Sequence, residues 1–394
     1  MAHARRQAWR WWSAAAVASV LLGACGASQT AAPRASIVAG LPAHFPPPLE
    51  PADNPSTPEK VELGRHLFHD ARLSGNGTQS CATCHQQARA FTDGRATPVG
   101  STGEGHPRNV PSLTNAAYNV TQNWADPTLT TLEAQHVVPL TSASPVEMGI
   151  NDANREAVLD RFRADARYRR LFAAAYPGDP DPITLDHVVQ AIASFVRTLI
   201  SHRAPIDRFL AGDSGALSQS AKRGLALFES DRLECTQCHG GFNFSDSTRR
   251  TGDERAQFHN TALYNIAVSQ DGAGDNYPPR NQGLFHFTGL PADKGRFKAP
   301  TLRNIALTAP YSHDGSTATL GEVLDHYARG GRLVLAPPER AGDGRGNRHK
   351  DGEIHGFELS EQDRADLLEF LHSLTDTEFV TDPRFADPFE GKLR

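Results

Sequence analysis

Apolar residues recur along this chain with helical rather than strand periodicity. From Thr184 to Ser201, Val188, Val189, Ile192, Phe195, Val196, Leu199 and Ile200 fall on one broad face, with Thr184 where a cap belongs. Val158, Phe162, Tyr168, Leu171 and Phe172 predict a second helix from Arg155 to Tyr176. Ser360-x-x-Asp363 opens a C-terminal helix that turns Leu367, Leu368, Phe370, Leu371 and Leu374 inward. Two more helix starts are marked by Ser56-Thr57-Pro58-Glu59, a capping box with an early Pro, and by Ser218 or Ser220. Strand-like runs are scarce. Residues 241–300 and 336–357, rich in Gly, Pro and Asn, predict long loops. The pattern predicts a mainly α chain with long loops and little β.

The first 24 residues follow another logic. Arg5, Arg6 and Arg10 precede an apolar run from Trp11 to Leu22, too short to span a bilayer and laid out as a secretory signal. Leu21-Leu22-Gly23-Ala24-Cys25 resembles the lipobox of bacterial lipoproteins. That resemblance makes Cys25 the expected lipid anchor, with Gly26 favouring the outer membrane; the alternative is a plain cleavage site. The Pro-rich stretch 25–55 then reads as a tether.

Composition narrows the class. A length of 394 residues favours two domains. With 39% hydrophobic and 22% charged residues, the chain is no multi-span membrane protein, collagen or disordered polymer. The net charge is −5, and Lys and Arg are scattered, so nothing suggests a nucleic-acid partner.

Cysteine placement carries the chemistry. An exported compartment is oxidising, where paired Cys normally form disulfides. Yet Cys81-Ala82-Thr83-Cys84-His85 and Cys235-Thr236-Gln237-Cys238-His239 both read C-x-x-C-H, the attachment motif of c-type haem. Two thiols add to the haem vinyl groups, and the following His ligates the iron. Zinc sites and thioredoxin-like dithiols do not need His at that position twice. Two covalent haems are expected. The motifs sit in a repeat: Gly64, Leu67, Phe68, Arg72 and Leu73 match Gly224, Leu227, Phe228, Arg232 and Leu233 at a constant offset of 160.

These modules, with the run from Phe297 through Pro300-Thr301-Leu302-Arg303-Asn304 to His313-Asp314-Gly315, resemble the bacterial di-haem cytochrome c peroxidase and MauG family over about residues 56–375. Leu73-Ser74-Gly75-Asn76-Gly77 and Tyr327-Ala328-Arg329-Gly330-Gly331 are most similar to its MbnH-type branch. The resemblance implies two cytochrome c-like domains, residues 56–205 with a peroxidatic haem 1 and residues 206–380 with an electron-transfer haem 2. It implies Glu147 and Gln135 as the distal acid–base and polar groups of haem 1, with Pro139 shaping the pocket. Trp124, the one Trp beyond the signal segment, stands in the register of an indole between the haems. Met148 is the one Met beyond that segment and belongs to the haem 1 side. The sixth-ligand position of haem 2, 14 residues after His313, holds Tyr327, where classical peroxidases carry Met. A calcium ion is implied at Asn109, Thr308 and Pro310. Peroxidases that need reductive activation carry a blocking His eight residues before the Asn matching Asn109; here that position is Ser101, so an open haem 1 is expected. His106 lies in the same loop, and His66, His69 and His326 have no matched role.

The implied function is a periplasmic enzyme, tethered to the outer membrane at Cys25, that uses hydrogen peroxide to oxidise residues, notably Trp, on a partner protein. A conventional peroxidase drawing electrons from a small c-type cytochrome is the alternative. A non-catalytic di-haem electron carrier is the other.

Overall fold

The structure, a computed structural model, describes residues 37–38, 40–250, 254–264, 277–335 and 342–390. The signal segment and Cys25 lie outside the described residues. Helices dominate what is described: α1 Pro58–His69, α2 Cys81–Cys84, α3 Leu132–Thr141, α4 Arg155–Arg163, α5 Ala166–Ala175, α6 Leu185–Arg197, α7 Pro205–Leu210, α8 Gln219–Phe228, α9 Thr236–His239, α10 Phe285–Thr288, α11 Leu320–Arg329 and α12 Glu361–His372. The strands among the described residues are β1 Leu333–Val334 and β2 Gly342–Asp343, paired antiparallel.

Caps explain where the helices begin. Thr57 accepts from Lys60 N–H to start α1, Thr184 from His187 N–H to start α6, and Ser218 from Ala221 N–H to start α8. Ser360 and Asp363 form the reciprocal box of α12. The expected helix from Arg155 to Tyr176 is instead two, α4 and α5. Asp165 sits between them in an extended conformation, its carboxylate accepting from Arg167 N–H. A short acidic side chain competes with the helix for backbone donors, and here it caps rather than continues.

The apolar faces build two cores. One gathers Leu63, Leu67 and Phe68 of α1, Phe162, Phe172, and Val188, Ile192 and Phe195 of α6. The other gathers Ala221 and Phe228 of α8 with Leu324, Leu367, Phe370 and Leu374. Each fully buried Leu or Phe contributes about 1.5–3 kcal/mol relative to exposure. The sequence repeat reappears as a repeated crossing, α1 on α6 and α8 on α12. A Cβ built on Gly64 would fall 1.9 Å from the Ala191 carbonyl oxygen, and one on Gly224 1.9 Å from that of Asp366. Only Gly permits either approach. Phe379 and Phe385, beyond α12, pack back into the first core.

The expected tether does not stay loose over its last stretch. Phe45 is buried against Tyr118 and Ile200, and the Tyr118 hydroxyl donates to the Pro46 carbonyl at 2.7 Å. Asn54 is buried and bonded to Glu133 and Lys60. The two cores meet through buried polar groups. Asn115 donates to Ser201 and Asn243, and Asn304 to Ser201, whose hydroxyl reaches Asp376 at 3.1 Å.

Candidate haem sites

Both C-x-x-C-H segments fold as a helical turn that carries the histidine the chemistry requires, His85 just after Cys81–Cys84 and His239 at the end of Thr236–His239. The four cysteines are free thiols. His85 Nδ1 donates to the Phe91 carbonyl at 2.8 Å, and His239 Nδ1 to the Phe244 carbonyl at 3.2 Å. A carbonyl only accepts, so each Nδ1 carries the proton and each Nε2 keeps its lone pair for a metal. Burial lowers both imidazoles from their ordinary value, which keeps them neutral and ligating. The carbonyls are aimed by strained backbone: Phe91 has φ +62° and Phe244 φ +50°, conformations that a bulky residue rarely adopts. Cys235, Cys238, His239 and Tyr327 line one cavity. Free thiol pairs, oriented imidazoles and an apolar surround fit covalent haem at each motif.

Glu147, expected as an acid–base group, lies on the side of the first motif, near Cys81 and Cys84. Met148 N–H donates to the Pro139 carbonyl at 2.9 Å and Ile150 N–H to that of Leu140, which lays the Glu147 segment along the end of α3. Ser101 N–H donates to the Glu147 carbonyl at 2.7 Å from the other side. Burial pushes the Glu147 carboxyl up to about 7, and its charge is felt at both Cys81 and Cys84. Gln135, on α3, has a buried Oε1 with no hydrogen-bond partner. A buried acceptor without a partner is a place for a ligand's donor. His106 Nε2 lies 3.9 Å from Glu147 Oε1, and its Nδ1 accepts from Arg108 N–H at 3.1 Å.

On the haem 2 side, Trp124, Asn109, Thr308, Pro310, His313 and Tyr327 share the cavity of His239. Trp124 Nε1–H donates to the Asn109 carbonyl at 2.9 Å. The Asn109 amide donates to the Arg95 and Ala96 carbonyls, an arrangement that leaves Oδ1 as the free oxygen of that side chain. Tyr327 projects from α11, whose Gly330 cap starts the turn into β1. Burial pushes its phenol well above the ordinary range, followed by the charges of Cys238 and Cys235. A cation in the cavity is what would ionise it.

Several groups near the haems escaped sequence reasoning. His259 lines the haem 2 cavity between Asp246 at 2.6 Å and Asp351 at 3.0 Å. Burial would lower it, but the two carboxylates hold it charged, up to about 12. His136, one residue after Gln135, is buried, donates to the Leu132 carbonyl at 2.6 Å and is pushed down to about 4 by burial. The signal for the Phe carbonyls was the shared Phe-x-Asp after each motif, Phe91-Thr92-Asp93 and Phe244-Ser245-Asp246. His66 and His69 pack instead against the C-terminal stretch, His69 Nε2 meeting the Phe385 carbonyl at 3.2 Å.

Two C-x-x-C-H segments with free thiols and oriented histidines define a two-centre redox protein. A family model described as di-haem cytochrome c peroxidase matches residues 58–215. The methylamine utilization protein MauG of Methylorubrum extorquens is 36% identical over 355 residues, 89% of each chain. The cytochrome-c peroxidase IdrP1 of Denitromonas iodatirespirans is 35% identical over 362 residues, 88% of this chain and 90% of that one. The crystal structure of a MauG-like protein associated with microbial copper homeostasis superposes with a TM-score of 0.84 at 48% identity, covering 89% of this chain and 98% of that one. The protein belongs to the di-haem cytochrome c peroxidase and MauG family, a haem peroxidase-type oxidoreductase with two c-type haems. The non-catalytic carrier reading is thereby set aside.

Proposed function

We propose that the protein uses hydrogen peroxide to oxidise side chains, Trp above all, on a partner protein. The observation that carries this reading is Tyr327 in the cavity of His239, in the register where classical peroxidases place Met. A phenolate ligand favours oxidised iron, whereas Met favours uptake of electrons from a cytochrome. The 48% identity to a MauG-like protein supports the same branch. Because that relative is associated with microbial copper homeostasis, a copper-handling protein is the first partner to try.

When bound, the haems supply the redox chemistry of peroxide reduction. The chain supplies proton handling and routing. Glu147 takes a proton from one peroxide oxygen and returns it to the other, with Gln135 orienting the molecule and Pro139 shaping the pocket. Trp124 relays electrons between the two centres. Asn109, Thr308 and Pro310 offer neutral oxygens suited to calcium, which would fix the Asn109 carbonyl under the indole. We assign residues 56–205 to haem 1 and 206–380 to haem 2; the two cores support it except that Phe379 packs in the first core and Ala204 in the second. An exported location with Cys25 as lipid anchor completes the proposal.

The test is mass spectrometry of exported proteins after incubation with the holoprotein and peroxide. Peroxide-dependent oxygen addition at Trp of one partner is expected. Rapid oxidation of a small c-type cytochrome with no protein modification would favour the conventional peroxidase instead.

A further inference from the structure

We propose that Tyr264 is a redox-active tyrosine, a one-electron relay between the Trp124 side of haem 2 and the protein surface, with Asp314 as its proton acceptor. The inference rests on the family's peroxide chemistry and not on the identity of the reducing partner.

The geometry begins at Trp124. Its ring centroid lies 6.5 Å from that of His313, and His313 lies 5.8 Å from Tyr264. A bonded path runs alongside: Trp124 Nε1–H to the Asn109 carbonyl at 2.9 Å, then Asn109 N–H to the His313 carbonyl at 2.8 Å, with Asp314 the next residue. Trp124, His313 and Tyr264 line the same cavity as Tyr327. Tyr264 itself is buried, and its hydroxyl donates to Asp314 Oδ2.

That hydrogen bond makes the tyrosine suitable. Oxidation of a phenol in an apolar site is feasible only if its proton leaves with the electron, because a buried phenol radical cation is strongly disfavoured. Despite burial, Asp314 is held below the ordinary carboxylate range by His313, Ser316 and Tyr264, so it waits ionised and ready to accept. Its Oδ1 accepts from the Ser316 amide at 3.1 Å, and Ser316 is exposed, so the pair reaches the surface. Three other phenols donate to carbonyls, which take no proton: Tyr311, in the same cavity, to Ile305 at 3.0 Å, and Tyr118 and Tyr176 to Pro46 and His187. Tyr168 does meet a carboxylate, Asp70, but that one is clamped by Arg72 and lies in the first core.

The step balances as follows. The Tyr264 O–H bond breaks; its electron passes by way of His313 and Trp124 to the peroxide-oxidised haem centre, and its proton goes to Asp314. The tyrosyl radical then takes one electron from the reducing substrate and recovers the proton from Asp314. Two such cycles supply the two electrons that, with two protons from solvent, convert hydrogen peroxide to two waters.

The experiment is freeze-quench electron paramagnetic resonance of the holoprotein after one equivalent of peroxide, without reducing substrate. A tyrosyl signal that narrows with ring-deuterated tyrosine is expected in wild type and in Tyr311→Phe, and is lost in Tyr264→Phe. Asp314→Asn, which keeps a hydrogen-bond acceptor but not a base, is expected to slow its appearance at least tenfold. Haem absorption confirms loading in every variant. A normal optical response to peroxide with no tyrosyl signal, or with one that survives Tyr264→Phe, overturns the relay and leaves the peroxidase reading intact. No optical response at all removes the peroxide chemistry on which the relay depends.

Discussion

The Glu147 carboxyl faces the His106 imidazole at 3.9 Å, and burial disfavours the charged form of both. Glu147 is raised to about 7, so near neutral pH it is divided between acid and base. Its task on peroxide begins with proton removal, which requires the ionised form. The rate of the optical response to peroxide is therefore expected to rise as pH increases through about 7 and then level off. Glu147→Gln should remove that inflection and slow the reaction by roughly 10²–10⁴-fold, the usual worth of a positioned acid–base group. Stopped-flow absorption across pH measures both.

Trp124→Phe is expected to keep both haems and to uncouple them, because phenylalanine is far harder to oxidise than indole. The Asn109 carbonyl also loses its donor. Peroxide should then change the spectrum of haem 1 without a matching change at haem 2. An unaltered response would take Trp124 out of the path.

Gly224→Ala tests the repeated crossing. Its Cβ would stand 1.9 Å from the Asp366 carbonyl oxygen and 2.8 Å from Phe370 Cβ, so α8 and α12 must separate. Overpacking of this kind costs about 1–3 kcal/mol or more. For a chain of 394 residues, with an unfolding entropy of about 2.1 cal/mol/K per residue, that corresponds to a fall in Tm of about 1–4 °C, read by circular dichroism of the holoprotein. Gly64→Ala should act alike in the first core.

Much of this was legible in the sequence because it is local. The C-x-x-C-H motifs, the 160-residue repeat and the caps at Thr184, Ser218 and Ser360 are each written in a few neighbouring residues. What escaped is set by long-range packing or by backbone conformation. Periodicity ran straight through Asp165, since a cap inside an amphipathic run leaves the apolar spacing unchanged. The left-handed Phe91 and Phe244 look like ordinary core residues until the carbonyl each offers is seen. His259 is separated from its partner Asp351 by 92 positions, and no motif joins them. Phe45 sits in a Pro-rich stretch whose composition hides one deeply buried anchor.

Cofactor content follows from the free thiols and oriented histidines. Denatured protein, produced with a c-type maturation system, should carry two haem additions by mass spectrometry. Cys235→Ser with Cys238→Ser should leave one.

The most direct test of the central claim is resonance Raman spectroscopy of the ferric holoprotein with ring-deuterated tyrosine. Iron-tyrosinate modes that shift with the label and vanish in Tyr327→Phe, while both haems stay covalently bound, are expected. A spectrum without such modes, or modes unchanged in Tyr327→Phe, would contradict Tyr327 as the sixth ligand of haem 2 and with it the reading of partner-protein oxidation.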